Sequence, residues 1–122
     1  MMSQQLIPGP GHPITVEPNP ARVVVKAGDR VVADTTRAQV LREASYPAVQ
    51  YIPLEDVDLA MLARSEHQTY CPYKGDAAYY SLTVVPDGEN AVWTYEAPYE
   101  AVSPIKGHVA FYPDRVEIEE VA

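Results

Sequence analysis

Hydrophobic residues in this chain fall into short runs separated by polar turn residues, with no long periodic stretch. Arg22-Val-Val-Val-Lys26 is short and β-branched, which predicts a strand. Ala27-Gly28-Asp29 supplies turn chemistry, and Arg30-Val-Val-Ala-Asp34 reads as the returning strand of a hairpin. Thr35 to Ser45 fits either a helix or a strand. Ala48 to Ile52 reads as another strand, closed by Pro53. Leu54 to Arg64 is the helix candidate. Leu54, Val57, Met61 and Leu62 recur at helical spacing, and Glu55, Asp56 and Asp58 crowd the first turn, where carboxylates suit the helix dipole. Further on, Ala77 to Val85 alternates, Pro86-Asp87-Gly88-Glu89 is a turn, and Ala91 to Tyr95 makes the partner strand. Lys106 to Tyr112 and Arg115 to Ile118 read as a last pair around Pro113-Asp114. The pattern predicts one mainly β domain over residues 21–122, with small antiparallel sheets and one short helix near residues 54–64. Residues 1–20 are rich in Pro, Gly and Gln. They predict an extended arm, because proline removes backbone donors and fixes φ.

Composition narrows the function classes. A chain of 122 residues is the size of one domain and can bury roughly two thirds of the surface its unfolded form exposes. It needs no metal or disulfide for stability. The one cysteine, Cys71, excludes an internal disulfide and every zinc site built on cysteine pairs, and an unpaired thiol fits a reducing compartment. The net charge of -8 disfavours nucleic-acid partners. No run approaches the roughly 20 apolar residues needed to cross a bilayer, and no basic-then-apolar leader opens the chain. The expectation is a cytoplasmic, soluble domain with no nucleic-acid partner, no membrane partner and no cofactor.

Candidate chemistry concentrates between His67 and Tyr80. If Thr69 to Tyr73 is extended, His67, Thr69 and Cys71 share one face, Gly75 permits a tight turn, and Lys74 projects beside it. An imidazole, a thiol and an amine on one rim can bind an anion or run acid-base chemistry. Each also has a plainer reading. His67 can be a hydrogen-bonded structural histidine, Cys71 a small buried apolar group, and Lys74 a solvated charge. The second cluster is aromatic. Tyr79, Trp93, Tyr95 and other tyrosines dominate the C-terminal half, against one phenylalanine, and the excess of hydroxyls points to a polar pocket or an interface. Glu96, Glu100 and Asp76 can each supply a carboxylate. No phosphate-cradling glycine loop, nucleophile elbow or metal-ligand spacing occurs.

At Tyr51-Ile-Pro53, Glu55-Asp-Val57, His67-Gln-Thr-Tyr-Cys-Pro-Tyr-Lys-Gly-Asp76, Trp93-Thr-Tyr-Glu-Ala-Pro98 and Ile105 to Tyr112 with Arg115, the chain resembles domain of unknown function 427. That family is also labelled nucleotidyltransferase-like. The resemblance runs from about Val23 onward. It implies an Mss4-like fold, in which small antiparallel sheets pack as a tent, and it implies no established activity. Relatives of that fold carry zinc on paired cysteines, which this chain lacks. The Gly-Ser and paired aspartates of nucleotidyltransferases are also missing. The shared positions include His67, Thr69, Cys71, Lys74, Tyr79, Trp93, Tyr95, Glu96 and Arg115. The expected site is therefore a pocket for an unknown polar or anionic small molecule. His67, Cys71 and Glu96 are its catalytic candidates, and Thr69, Lys74, Tyr79, Trp93, Tyr95 and Arg115 its ligand-binding candidates. The alternatives are a non-catalytic interaction or structural module that forms a homo-oligomer through the arm or a sheet edge, and a redox sensor at Cys71.

Overall fold

A computed structural model describes residues 4–121, with side chains; the ends of the expected arm and domain, residues 1–3 and Ala122, lie outside the described residues. The described residues form ten strands in two antiparallel sheets. The strands are β1 (Ile14–Asn19), β2 (Arg22–Ala27), β3 (Arg30–Thr35), β4 (Ala38–Glu43), β5 (Val49–Pro53), β6 (Leu62–Cys71), β7 (Gly75–Leu82), β8 (Val92–Thr94), β9 (His108–Phe111) and β10 (Glu117–Val121). Seven form one sheet in the order β1-β4-β5-β9-β8-β7-β6, and three form a second in the order β10-β2-β3.

The smaller sheet lies against one face of the larger. Val23, Val25 and Val32 of the small sheet join Ile52, Val92, Val109 and Phe111 in one buried cluster. The opposite face of the large sheet carries a second cluster. Leu41, Tyr51, Tyr79 and Tyr95 meet Val102 and Ile105 there, from a 3-10 segment at Glu100–Ile105. Because side chains alternate along a strand, the same large sheet serves both clusters: Ile52 and Val92 face the inter-sheet core while Tyr51 and Trp93 face the tyrosine-rich side, and in β9 Val109 and Phe111 face the core while Ala110 faces the tyrosines. β4 is covered on both sides, with Ala38, Val40 and Leu41 all buried. That removes the alternation which would have marked Thr35 to Ser45 as a strand.

The β2–β3 hairpin and the β7–β8 pairing appear as the sequence predicts. Three expectations are corrected. No helix spans residues 54–64. Leu54–Asp56 and Leu59–Met61 are short 3-10 turns, and Val57 between them is extended and bridges Ala33. The apolar spacing is satisfied by two turns facing the inter-sheet core, and Leu62 already begins β6. The arm is shorter than residues 1–20, because β1 pairs with β4 along its whole length. Pro18 is tolerated there because β1 is an edge strand and Pro18 owes no donor on its outer side. Finally, the last two strands do not pair with each other. β9 lies between β5 and β8, whereas β10 crosses to the small sheet and pairs with β2. Among the described residues no helix is long and apolar enough to cross a membrane.

Candidate functional site

The turn between β6 and β7 sets the site. The Lys74 N–H donates to the Cys71 carbonyl at 3.2 Å, and Gly75 completes the reversal at φ 109°, a left-handed value that a side chain would strain. The Tyr99 N–H holds the Lys74 carbonyl at 3.0 Å from the other side. Lys74 is thereby folded back over the tyrosine-rich face. Its Nζ donates to Glu43 Oε1 at 2.6 Å and lies 5.9 Å from the centre of the Tyr95 ring. The other Glu43 oxygen, Oε2, is 2.7 Å from His12 Nε2, and the His12 ring stacks on Tyr73 at 4.1 Å. The Lys74 and Glu43 side chains are only 12% and 14% exposed, so this pair sits largely out of water.

The rest of the face follows from strand alternation. Tyr51 of β5, Tyr79 of β7 and Trp93 of β8 project to the same side as Glu43, and Tyr79 sits directly across from Trp93. Together with Lys74, Tyr95 and Tyr112 they line a pocket of about 210 Å3. Trp93 Nε1 donates to the Tyr51 hydroxyl at 3.1 Å. Burial, opposed by that hydrogen bond and reinforced by nearby Glu43, pushes the Tyr51 phenol well above its usual range. Burial does the same to Tyr95, with Tyr51 and Cys71 adding to it. Both phenols therefore stay protonated and act as neutral donors or acceptors at neutral pH.

The sequence-predicted residues divide between this pocket and its neighbour. Lys74, Tyr79, Trp93 and Tyr95 line the pocket, and Cys71 is half-buried behind Lys74, with Sγ 3.9 Å from Nζ. His67 and Arg115 face a more open hollow of about 620 Å3, with Tyr79 and Tyr112 forming the wall shared by both. His67 packs on Tyr79 at 4.6 Å, and Thr69 meets the Tyr79 hydroxyl at 2.9 Å, so both lie on the expected face of β6. Arg115 donates to the Asp87 carbonyl at 2.6 Å. Glu96 is brought to neither cavity. It forms a two-pronged pair with Arg64 at 2.9 and 3.1 Å on the surface, and the Arg64 guanidinium holds its carboxyl below the usual range. Nothing in this arrangement lets Glu96 orient His67. Replacing Glu96 by Ala should leave ligand binding unchanged and cost no more than about 1 kcal/mol in urea denaturation, as for other exposed pairs. A larger loss would mean that the Arg64 pair braces β6.

Sequence reasoning missed Glu43, Tyr51 and His12. Tyr51 stood within the resembling segment, but Glu43 lay in the ambiguous stretch and His12 in the arm. Among the described residues no group of three or more His, Cys, Asp or Glu side chains is placed to hold a metal ion. The family model for the domain of unknown function DUF427 matches residues 15–122. The chain belongs to this family. No curated protein matches it. The family match runs from the second residue of β1 through β10, so nearly the whole two-sheet unit, with Glu43, Lys74 and the tyrosine-lined face, falls inside the DUF427 domain.

Proposed function

We propose that this DUF427 domain binds a small polar molecule in the pocket between Lys74, Tyr51, Tyr95 and Trp93. The observation that carries this reading is the Lys74–Glu43 pair, held largely out of water at the wall of a cavity otherwise built from tyrosine and tryptophan. Removing two charges from water costs several kcal/mol each, and a hydrophobic pair of similar volume would often stabilise the fold as well or better. Retention of the charges at a cavity, beside two protonated phenols, is the arrangement expected of a recognition site. The reading moves the centre of the expected site away from His67 and Glu96. It keeps Lys74, Tyr79, Trp93 and Tyr95 as ligand contacts and leaves His67 and Arg115 to the adjoining hollow. A cytoplasmic setting and the lack of a nucleic-acid partner belong to the same proposal, on the unpaired thiol and the charge of -8.

Native mass spectrometry of the purified protein, with a denatured control, tests it. The expected result is a small added mass that is retained natively, lost on denaturation, and absent from the Lys74→Ala variant. Retention unaffected by Lys74→Ala would move the site to the His67 hollow. A clean protein mass accompanied by a concentration-dependent oligomer would favour the interaction module instead.

A further inference from the structure

Hydrogen-bond bookkeeping inside the pocket narrows the ligand class. Tyr51 is 1% exposed, and its hydroxyl accepts from Trp93 Nε1, which can only donate. Its own proton therefore needs an acceptor, and no described side chain provides one. Tyr95 is 7% exposed, and no hydrogen bond among the described residues uses its hydroxyl. Among the described residues no fully enclosed side-chain nitrogen or oxygen lacks a partner, so this hydroxyl is accessible, and Tyr95 lines the cavity. A ligand that displaces water from such hydroxyls must supply acceptors in its place, or the donors are left unpaired. Here two phenols with unspent protons stand in one cavity beside the Lys74 ammonium. Three donors converge there. Among the described residues lining the cavity, the carboxylate of Glu43 is already engaged, one oxygen by Lys74 and the other by His12.

We propose, resting on the pocket reading above, that the ligand is a small planar carboxylic acid whose carboxylate accepts from Tyr51 and Tyr95 beside Lys74. Donors without matching acceptors select an oxygen-rich group, and an ionised oxygen makes the strongest bonds with them. The remaining wall is aromatic: Trp93 and Tyr112 lie 4.6 Å apart at their centres, with Tyr46 beside the same cavity. Such a wall suits a flat apolar body. A volume of about 210 Å3 is below the usual range for drug-sized ligands, which limits the body to roughly one ring or a short unsaturated chain. The competing class is a cation. Aromatic faces attract ammonium groups, and a chain of charge -8 steers cations toward itself.

Trp93 is the one tryptophan in the chain and lines the cavity, so its fluorescence reports occupancy directly. Benzoate, benzamide and benzylamine, matched in shape and differing in charge, are titrated against the full chain. Benzoate is expected to give a saturable change, benzamide a weaker one and benzylamine none. Tyr95→Phe should weaken benzoate about tenfold or more without lowering the thermal midpoint, because the deleted hydroxyl has no partner among the described residues. Tyr95 is the better variant, since Tyr51→Phe also strands the Trp93 N–H. Tighter binding of benzylamine than of benzoate overturns the carboxylate assignment and leaves the pocket reading standing. Benzoate binding that is unchanged in Tyr95→Phe removes that hydroxyl from recognition and overturns the assignment as drawn. Silence from all three probes also overturns it, and if native mass spectra are clean as well, the pocket reading falls with it.

Discussion

Replacing Gly88 by alanine is expected to destabilise the protein by about 3 kcal/mol or more, at or above the upper end of what overpacking usually costs. Gly88 is buried in the connection between β7 and β8, and its carbonyl accepts from the Leu82 N–H at 2.8 Å. A Cβ built there lies deep inside the Leu82 carbonyl oxygen and only 2.9 Å from the Leu82 Cβ. Backbone is the obstacle, so no rotamer change relieves the clash. The loop would have to leave Leu82, giving up the hydrogen bond and exposing part of the inter-sheet core, to which Leu82 belongs. Chemical denaturation with the midpoint and slope both fitted checks this. A loss under about 1 kcal/mol would mean that the loop relaxes freely and that Gly88 is there only as a turn residue.

Glu43→Ala is expected to cost about 2–4 kcal/mol, somewhat below the penalty for breaking a fully buried pair. Its loss strands the Lys74 ammonium among tyrosines and leaves His12 without its partner. Adding Lys74→Met should recover a good part of that loss, because the cost comes from the unpaired charge rather than from the missing bond. The acid side carries an independent signature. Burial pushes the Glu43 carboxyl up, but the hydrogen bonds from Lys74 and His12 and their charges outweigh it, and the folded value lies below the usual range. A carboxyl depressed in the folded state contributes in full above its unfolded pKa of about 4.3. The contribution drains as pH falls below that point and is gone once pH is under the folded value. Stability measured between neutral and strongly acidic pH should therefore fall more steeply for the wild type than for Glu43→Ala, with the two curves converging in acid. Parallel curves would show that Glu43 is not ionised against Lys74 in the folded protein.

The parts of this structure that were legible in the sequence are those where local chemistry and final environment agree. The valine run of β2, its Ala27-Gly28-Asp29 reversal and the Pro86-Asp87-Gly88 turn each carry their own instructions. Residues 54–64 misled because 3-10 turns and an α-helix both place apolar groups about three residues apart, and the acidic first turn serves either. The arm misled because proline argues against a strand interior yet is harmless on an outer edge. Within the site, the Cys71-to-Gly75 turn and its lysine stood out through their local spacing. Glu43 did not, since its role depends on a partner 31 residues away and on a strand whose two buried faces erase the alternation. Glu96 is a catalytic candidate from the sequence, and Glu43 is not. Only the surface position of Arg64 shows which of the two carboxylates works outside the cavity.

The crossing of β10 to the small sheet bears on how the protein reaches its native state. Val121 of β10 pairs with Arg22 of β2, and Asn19 donates to Glu120, a residue 101 positions further along. The β2–β3 hairpin can form early, since its strands are joined by a tight reversal, but its second edge stays open until nearly all of the chain has been threaded into the larger sheet. Closing so long a loop carries an entropic cost before any contact rewards it, which places the docking of β10 late and makes folding slow for a domain of this size. During that interval the most valine-rich strand of the protein presents unpaired backbone groups. The glutamates of β10, Glu117, Glu119 and Glu120, then serve a second purpose. Once the last strand arrives, it turns the open edge into one bordered by like charges, which discourages the strand of a neighbouring molecule from adding to it.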